Sequence, residues 1–80
     1  MNESEILEFL QEIADVVFFS PVAIQRSLSA VDVEEWDSVA NVTFVMSVEQ
    51  KFGLRFKTGQ FEKFQNIGDL VDFILKAKSI

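Results

Sequence analysis

Asp37 and Ser38 stand side by side where a long polar stretch gives way to an amphipathic segment, in a chain that contains no Cys and no His. With neither thiol nor imidazole, the usual protein nucleophiles and general bases are missing. No other hydroxyl or carboxylate has an activating partner that the spacing reveals. A chain so equipped enters chemistry as a carrier or a binder, and an independent enzyme is not expected. The serine is therefore the residue around which the remaining elements have to be understood.

Those elements are legible from periodicity. Asn2 followed by Glu5 has the spacing of a capping box, and Ile6, Leu7, Leu10, Ile13, Ala14 and Val17 recur every three or four residues, which predicts a first helix with Glu8, Glu12 and Asp15 on its wet side. From Phe18 the period fails and Pro21 follows, so residues 18–36 read as a long loop fastened by Phe19, Val22, Ile24, Leu28 and Val31. A loop this long in a small domain is uncommon and is usually either functional or a misassigned element. A second helix is predicted from Asp37 or Ser38 to Phe52, closed by Gly53. At about 100° per residue, Phe44, Val45, Val48 and Phe52 fall on one side of it, while Val39, Val42 and Met46 form a second apolar stripe. Thr58 is placed to cap a short third helix over residues 60–64. Asn66 with Asp69 opens a fourth through Ile67, Leu70, Val71, Ile74 and Ala77. Residues 53–58 alternate apolar and basic, yet no partner strand is evident, so they read as loop. The expected fold is all-α: a small four-helix bundle, three main helices and one short one, forming a single domain over residues 1–80.

Composition is consistent with such a bundle. Eighty residues, 49% of them hydrophobic and nine of them Phe, lie close to the roughly 70 to 80 at which one apolar core suffices. Without Cys or His, a disulfide framework or a structural zinc site is not expected. The acidic start Met1-Asn2-Glu3-Ser4-Glu5 is unlike a basic secretory leader, and no apolar run nears the ~20 residues of a membrane span, so a cytoplasmic monomer is expected. The net charge is −6, and residues 1–50 hold ten of the thirteen acids with Arg26 as their only base. That half of the chain argues against nucleic acid as a partner.

The run Trp36-Asp37-Ser38-Val39, then Val42, Val45-Met46 and Val48-Glu49-Gln50-Lys51-Phe52-Gly53, resembles the acyl carrier protein family, whose signature is Asp-Ser-Leu at the start of the second helix. The order of helices and the long first loop extend the resemblance over nearly the whole chain, and the Trp before Asp-Ser is similar to that of discrete carriers of specialised pathways. The resemblance implies that Ser38 is esterified with 4'-phosphopantetheine, whose thiol bears an acyl or aminoacyl group, and that Asp37 orients the metal-bound coenzyme A of the modifying enzyme. It also implies the partners: a phosphopantetheinyl transferase, an acyl- or aminoacyl-loading enzyme, and synthases or transferases of fatty acid or polyketide type. A helix N-terminus, with unpaired N–H groups and the positive end of the macrodipole, suits the phosphodiester such an attachment creates.

Each feature also has a plainer reading. Asp and Ser are both favoured N-caps, so the pair alone is common at helix starts. The stripe of Val39, Val42 and Met46 is either a docking patch beside Ser38 or core beneath the loop. Glu35 and Glu49, with Asp32, Glu34 and Asp37, are either an acidic face that attracts basic partners or an ordinary solvated surface. The Phe residues either fill a tight core or line a cleft for an attached chain, and an interior filled by Phe leaves less room for a long acyl group, which favours a short or polar cargo. Ala40, Asn41, Thr43 and Gln50 stand where typical carriers have acids, and Val39 stands where they have Leu. Two alternatives remain open at this point: a peptidyl carrier of a nonribosomal-peptide-type pathway, and a cofactor-free helical interaction module in which Ser38 is only a cap.

Overall fold

The computed structural model describes residues 2–57 and 59–78. Three α-helices carry the fold: α1 (Glu3–Val17), α2 (Ser38–Phe52) and α3 (Ile67–Ala77). The capping box at Asn2 is formed, with Asn2 Oδ1 accepting from Glu5 N–H at 2.9 Å and Glu5 Oε1 accepting from Asn2 N–H at 3.2 Å. At the other chain end, Asn66 Oδ1 accepts from Asp69 N–H at 3.0 Å and opens α3. Gly53 closes α2 in the left-handed region at φ 64°, where a residue without Cβ has no steric penalty. The short helix expected over 60–64 is a single 3₁₀ turn, Phe61–Lys63, and Thr58, expected to cap it, lies outside the described residues. Among the described residues 53–57 there is no strand.

α1 packs against both α2 and α3. Its Ile6, Leu10, Ile13 and Ala14 meet Phe44, Val48 and Phe52 of α2 and Ile67, Leu70, Val71 and Ile74 of α3 in one continuous core. The core is strongly aromatic. Trp36 and Phe18 stack at 5.2 Å between ring centres, Trp36 and Phe44 at 4.9 Å, and Phe44 continues through Phe61 to Phe56, Phe64 and Phe73. Such pairs add to area burial when tilted or edge-on, as these are.

The long loop is pinned along its length, which explains how it keeps one path without regular hydrogen bonding. The Gln11 side chain donates from Nε2 to the Val22 carbonyl at 2.7 Å and accepts at Oε1 from Ile24 N–H at 2.9 Å, so one amide serves the loop as a strand partner would. The Arg26 guanidinium joins Glu3 of α1 and grips both oxygens of Asp72 of α3 at 3.0 Å. The carbonyls of Arg26 and Leu28 accept from Gly68 N–H at 2.9 Å and Ile67 N–H at 2.8 Å, satisfying first-turn donors of α3 that have no intrahelical acceptor. Gly68 suits this close approach, since a Cβ there would sit 3.2 Å from the Arg26 carbonyl oxygen, tighter than an ordinary contact. A second 3₁₀ turn, Ala30–Asp32, interrupts the loop with its own Ser29–Asp32 capping box. Two of the expected apolar fasteners do not act as such: Phe19 is 101% exposed and Val31 93% exposed, whereas Val22, Ile24 and Leu28 pack on the core. The anchor at the head of the loop is Phe18, which is buried.

Candidate functional site

The start of α2 is built by the residue before the serine. Asp37 is the N-cap, its Oδ1 accepting from Ala40 N–H at 2.8 Å and its carbonyl from Asn41 N–H at 2.9 Å. Ser38 is the first helical residue and is exposed. The reading of Ser38 as a mere cap is thereby corrected, because Asp37 does the capping and the serine hydroxyl is left over. The N–H groups of Ser38 and Val39 belong to a first turn that lacks intrahelical acceptors, and they lie at the positive end of a 15-residue helix. An exposed hydroxyl at that position fits a phosphodiester attachment in both access and charge.

Rigid support lies underneath. Trp36 is half-buried between Phe18 and Phe44, and its Nε1–H donates to Asn41 Oδ1 at 2.9 Å, so the residues flanking Asp37-Ser38 are tied to each other and to the core. Asn41, one of the residues that stands where carriers usually have acids, thus has an internal task. Thr43 has one too, its hydroxyl donating to the Val39 carbonyl at 3.1 Å. The Trp36–Asn41 link has no local sequence signal, because it joins a loop residue to a helix residue through the packing of the indole on Phe18 and Phe44.

The second stripe of α2 faces solvent: Val39 is 76% exposed, Val42 57% and Met46 62%. The opposite stripe, Phe44, Val48 and Phe52, is core, with Val45 half-buried between the two. Met46→Glu is therefore expected to leave the thermal midpoint nearly unchanged, within about 0.5 kcal/mol in stability. Parallel thermal unfolding of the variant and the wild type checks this outcome.

The two acids expected at the partner face, Glu35 and Glu49, are both half-buried and have partners within the chain. Glu49 Oε2 accepts from Phe56 N–H at 2.9 Å and holds the segment after α2. Glu35 accepts from Phe19 N–H at 2.9 Å and Ser20 N–H at 3.0 Å, one with each oxygen. The Ser20 hydroxyl first, and then these backbone donors, hold the Glu35 carboxyl below its ordinary 4.5. A depressed folded value means that the clamp contributes stability above the unfolded value and loses it as pH falls through the folded one. The midpoint gap between wild type and Glu35→Gln should thus be open at neutral pH and close in acid below the ordinary carboxylate range. Thermal melts across that range would show it.

Between the loop and the Phe61–Lys63 turn lies a cleft of about 240 Å³, lined by Leu28, Trp36, Asn41, Phe61, Phe64 and Leu70 among others. Trp36 and Asn41 bring it alongside the first turn of α2. Phe61 and Phe64 serve both readings proposed for the aromatic residues, since they pack on the core and also face the cleft.

Residues 5–74 match the family model described as the phosphopantetheine attachment site. The chain is 33% identical over 75 residues to an acyl carrier protein of Thermosynechococcus vestitus, covering 92% of this chain and 93% of that one. It is also 33% identical over 78 residues to an acyl carrier protein of Acidothermus cellulolyticus, covering 96% and 93% of the two chains. The solution structure of the holo acyl carrier protein from Geobacter metallireducens superposes with a TM-score of 0.72 at 26% identity, covering 92% of this chain and 82% of that chain. A capped helix start presenting a spare serine, the pinned loop before it and these similarities agree: the chain belongs to the acyl carrier protein family.

Proposed function

We propose that this protein is a carrier, not a catalyst, that holds acyl intermediates on a 4'-phosphopantetheine arm esterified to Ser38 and presents them to partner enzymes in the cytoplasm. The observation that carries the reading is the division of labour at the start of α2, where Asp37 caps the helix and Ser38 remains exposed and unused. When attached, the arm supplies a thiol, which the chain itself lacks, for holding an acyl group as a thioester. The chain contributes position and charge. Ser38 fixes the attachment point on a rigid helix, and the first-turn N–H groups would favour the phosphodiester anion there. Trp36 and Asn41 keep that turn from fraying.

The partners of this reading are a phosphopantetheinyl transferase, an acyl-loading enzyme, and the synthases or transferases that use the cargo. Val39, Val42 and Met46 would form the apolar centre of their contact, with Glu35 and Glu49 at its edges. The small cleft beside Trp36 favours a short acyl chain as cargo. Incubation with coenzyme A and a broad-specificity phosphopantetheinyl transferase should add the mass of one phosphopantetheine, recovered on the peptide that contains Ser38. An unchanged intact mass would overturn the reading.

A further inference from the structure

Eight of the nine Phe residues make aromatic ring contacts, and the ninth, Phe19, makes none among the described residues and is fully exposed. Its backbone is nonetheless fixed, because Glu35 accepts from Phe19 N–H and from Ser20 N–H. The exposed ring therefore stands on a clamped backbone. Phe19 shares an open groove of about 370 Å³ with Val17, Val39 and Ala40, and the walls of the groove include Asp37 and Glu35. Val39 and Asp37 are the immediate neighbours of Ser38, so the groove adjoins the attachment point, and Met46 is not among its lining residues.

We infer that this groove, with Phe19 as its apolar anchor, docks the phosphopantetheinyl transferase that modifies Ser38. The inference rests on the carrier reading of Ser38. Steric necessity selects this occupant over the enzymes that later use the cargo. Those enzymes meet the end of a long arm, whereas the transferase must bring its own reacting centre onto the serine oxygen, and a standard interface covers about 800 Å² per partner around that point. Side chains lining a groove that includes both neighbours of Ser38 fall inside such a footprint. An exposed aromatic ring on a fixed backbone is the kind of residue that dominates interface energetics. The charge around it specifies the complement. Asp37 and Glu35 line the groove and Asp15 and Glu34 are exposed nearby in sequence, while Arg26, the one base of this half, is engaged with Glu3 and Asp72. The fitting surface is an apolar recess rimmed by Lys or Arg.

The test is the kcat/KM of a broad-specificity phosphopantetheinyl transferase with coenzyme A, measured on wild type, Phe19→Ala, Phe19→Met, Phe19→Lys and Val31→Ala, with thermal midpoints recorded for each. Val31 is the control, equally exposed but absent from the groove. Phe19→Ala should lose about tenfold, mostly through KM, as expected for truncation of an anchor. Phe19→Met should retain most of the efficiency by keeping apolar bulk, and Phe19→Lys should lose more than Ala by facing a basic rim. Val31→Ala should match wild type, and all midpoints should agree. Equal efficiencies at Phe19 and Val31 on a wild type that is modified would overturn the docking while leaving the carrier reading intact. A wild type that gains no phosphopantetheine would remove both.

Discussion

Ser38→Ala is expected to abolish phosphopantetheine addition completely while leaving the fold untouched, and Asp37→Ala is expected to fail differently. The distinction follows from which residue caps α2. Alanine at the first helical position removes only a hydroxyl that nothing in the fold requires, so stability should stay within about 0.5 kcal/mol. Removing the Asp37 carboxylate instead frees the Ala40 N–H that it holds at 2.8 Å, and the loss of such a cap costs about 1 kcal/mol. Intact-mass assays with thermal denaturation of both variants read the two effects separately. Persistent modification of Ser38→Ala would move the attachment point elsewhere. A pronounced loss of stability in that variant would show that Ser38 is a cap after all.

The largest stability effect is expected at Phe44. This side chain is fully buried, with ring centres 4.9 Å from Trp36, 6.3 Å from Phe18 and 6.4 Å from Phe61. Truncating a buried Phe to Ala costs about 3 to 5 kcal/mol, against about 5 to 15 kcal/mol of total stability for a typical domain. Phe44→Ala should therefore melt far below wild type or fail to fold. Val39→Ala, a few residues earlier on the exposed stripe, should be nearly silent. The functional consequence reaches Ser38, because Trp36 rests on Phe44 and holds Asn41. Modification of Phe44→Ala should slow even at temperatures where helical circular dichroism persists. Equal stabilities of the Phe44 and Val39 variants would contradict the packing of α2.

What is legible in the sequence is local. The cap at Asn2 with Glu5, a start of α2 at Asp37 or Ser38, the Gly53 stop and the Asn66 start of α3 are each set within about four residues, by first-turn donors or by a left-handed backbone position that favours Gly. The apolar periods of α1 and α3 pointed inward for the same reason, since each has one dominant stripe. α2 has two, and its own periodicity could not choose between them.

That choice belongs to the tertiary structure. The volume between α1 and the aromatic residues of the loop and α3 accepts the rings of Phe44 and Phe52, which leaves Val39, Val42 and Met46 outside. The exchange of Phe18 for Phe19 as anchor of the loop is of the same kind. Adjacent residues of one type differ only in the direction in which Glu35, sixteen residues away, and Trp36 fix the backbone and fill the space. The short helix contracts to a 3₁₀ turn in the same packed surroundings, where Phe61 meets Phe44, Phe56 and Phe64. The sequence by itself determined the three main helices, the caps at Asn2 and Asn66 and the Asp-Ser pair at the head of α2, because the interactions that set them are near neighbours along the chain. Only the tertiary structure decided which apolar residues are core and which are surface, because that depends on side chains brought together from distant positions.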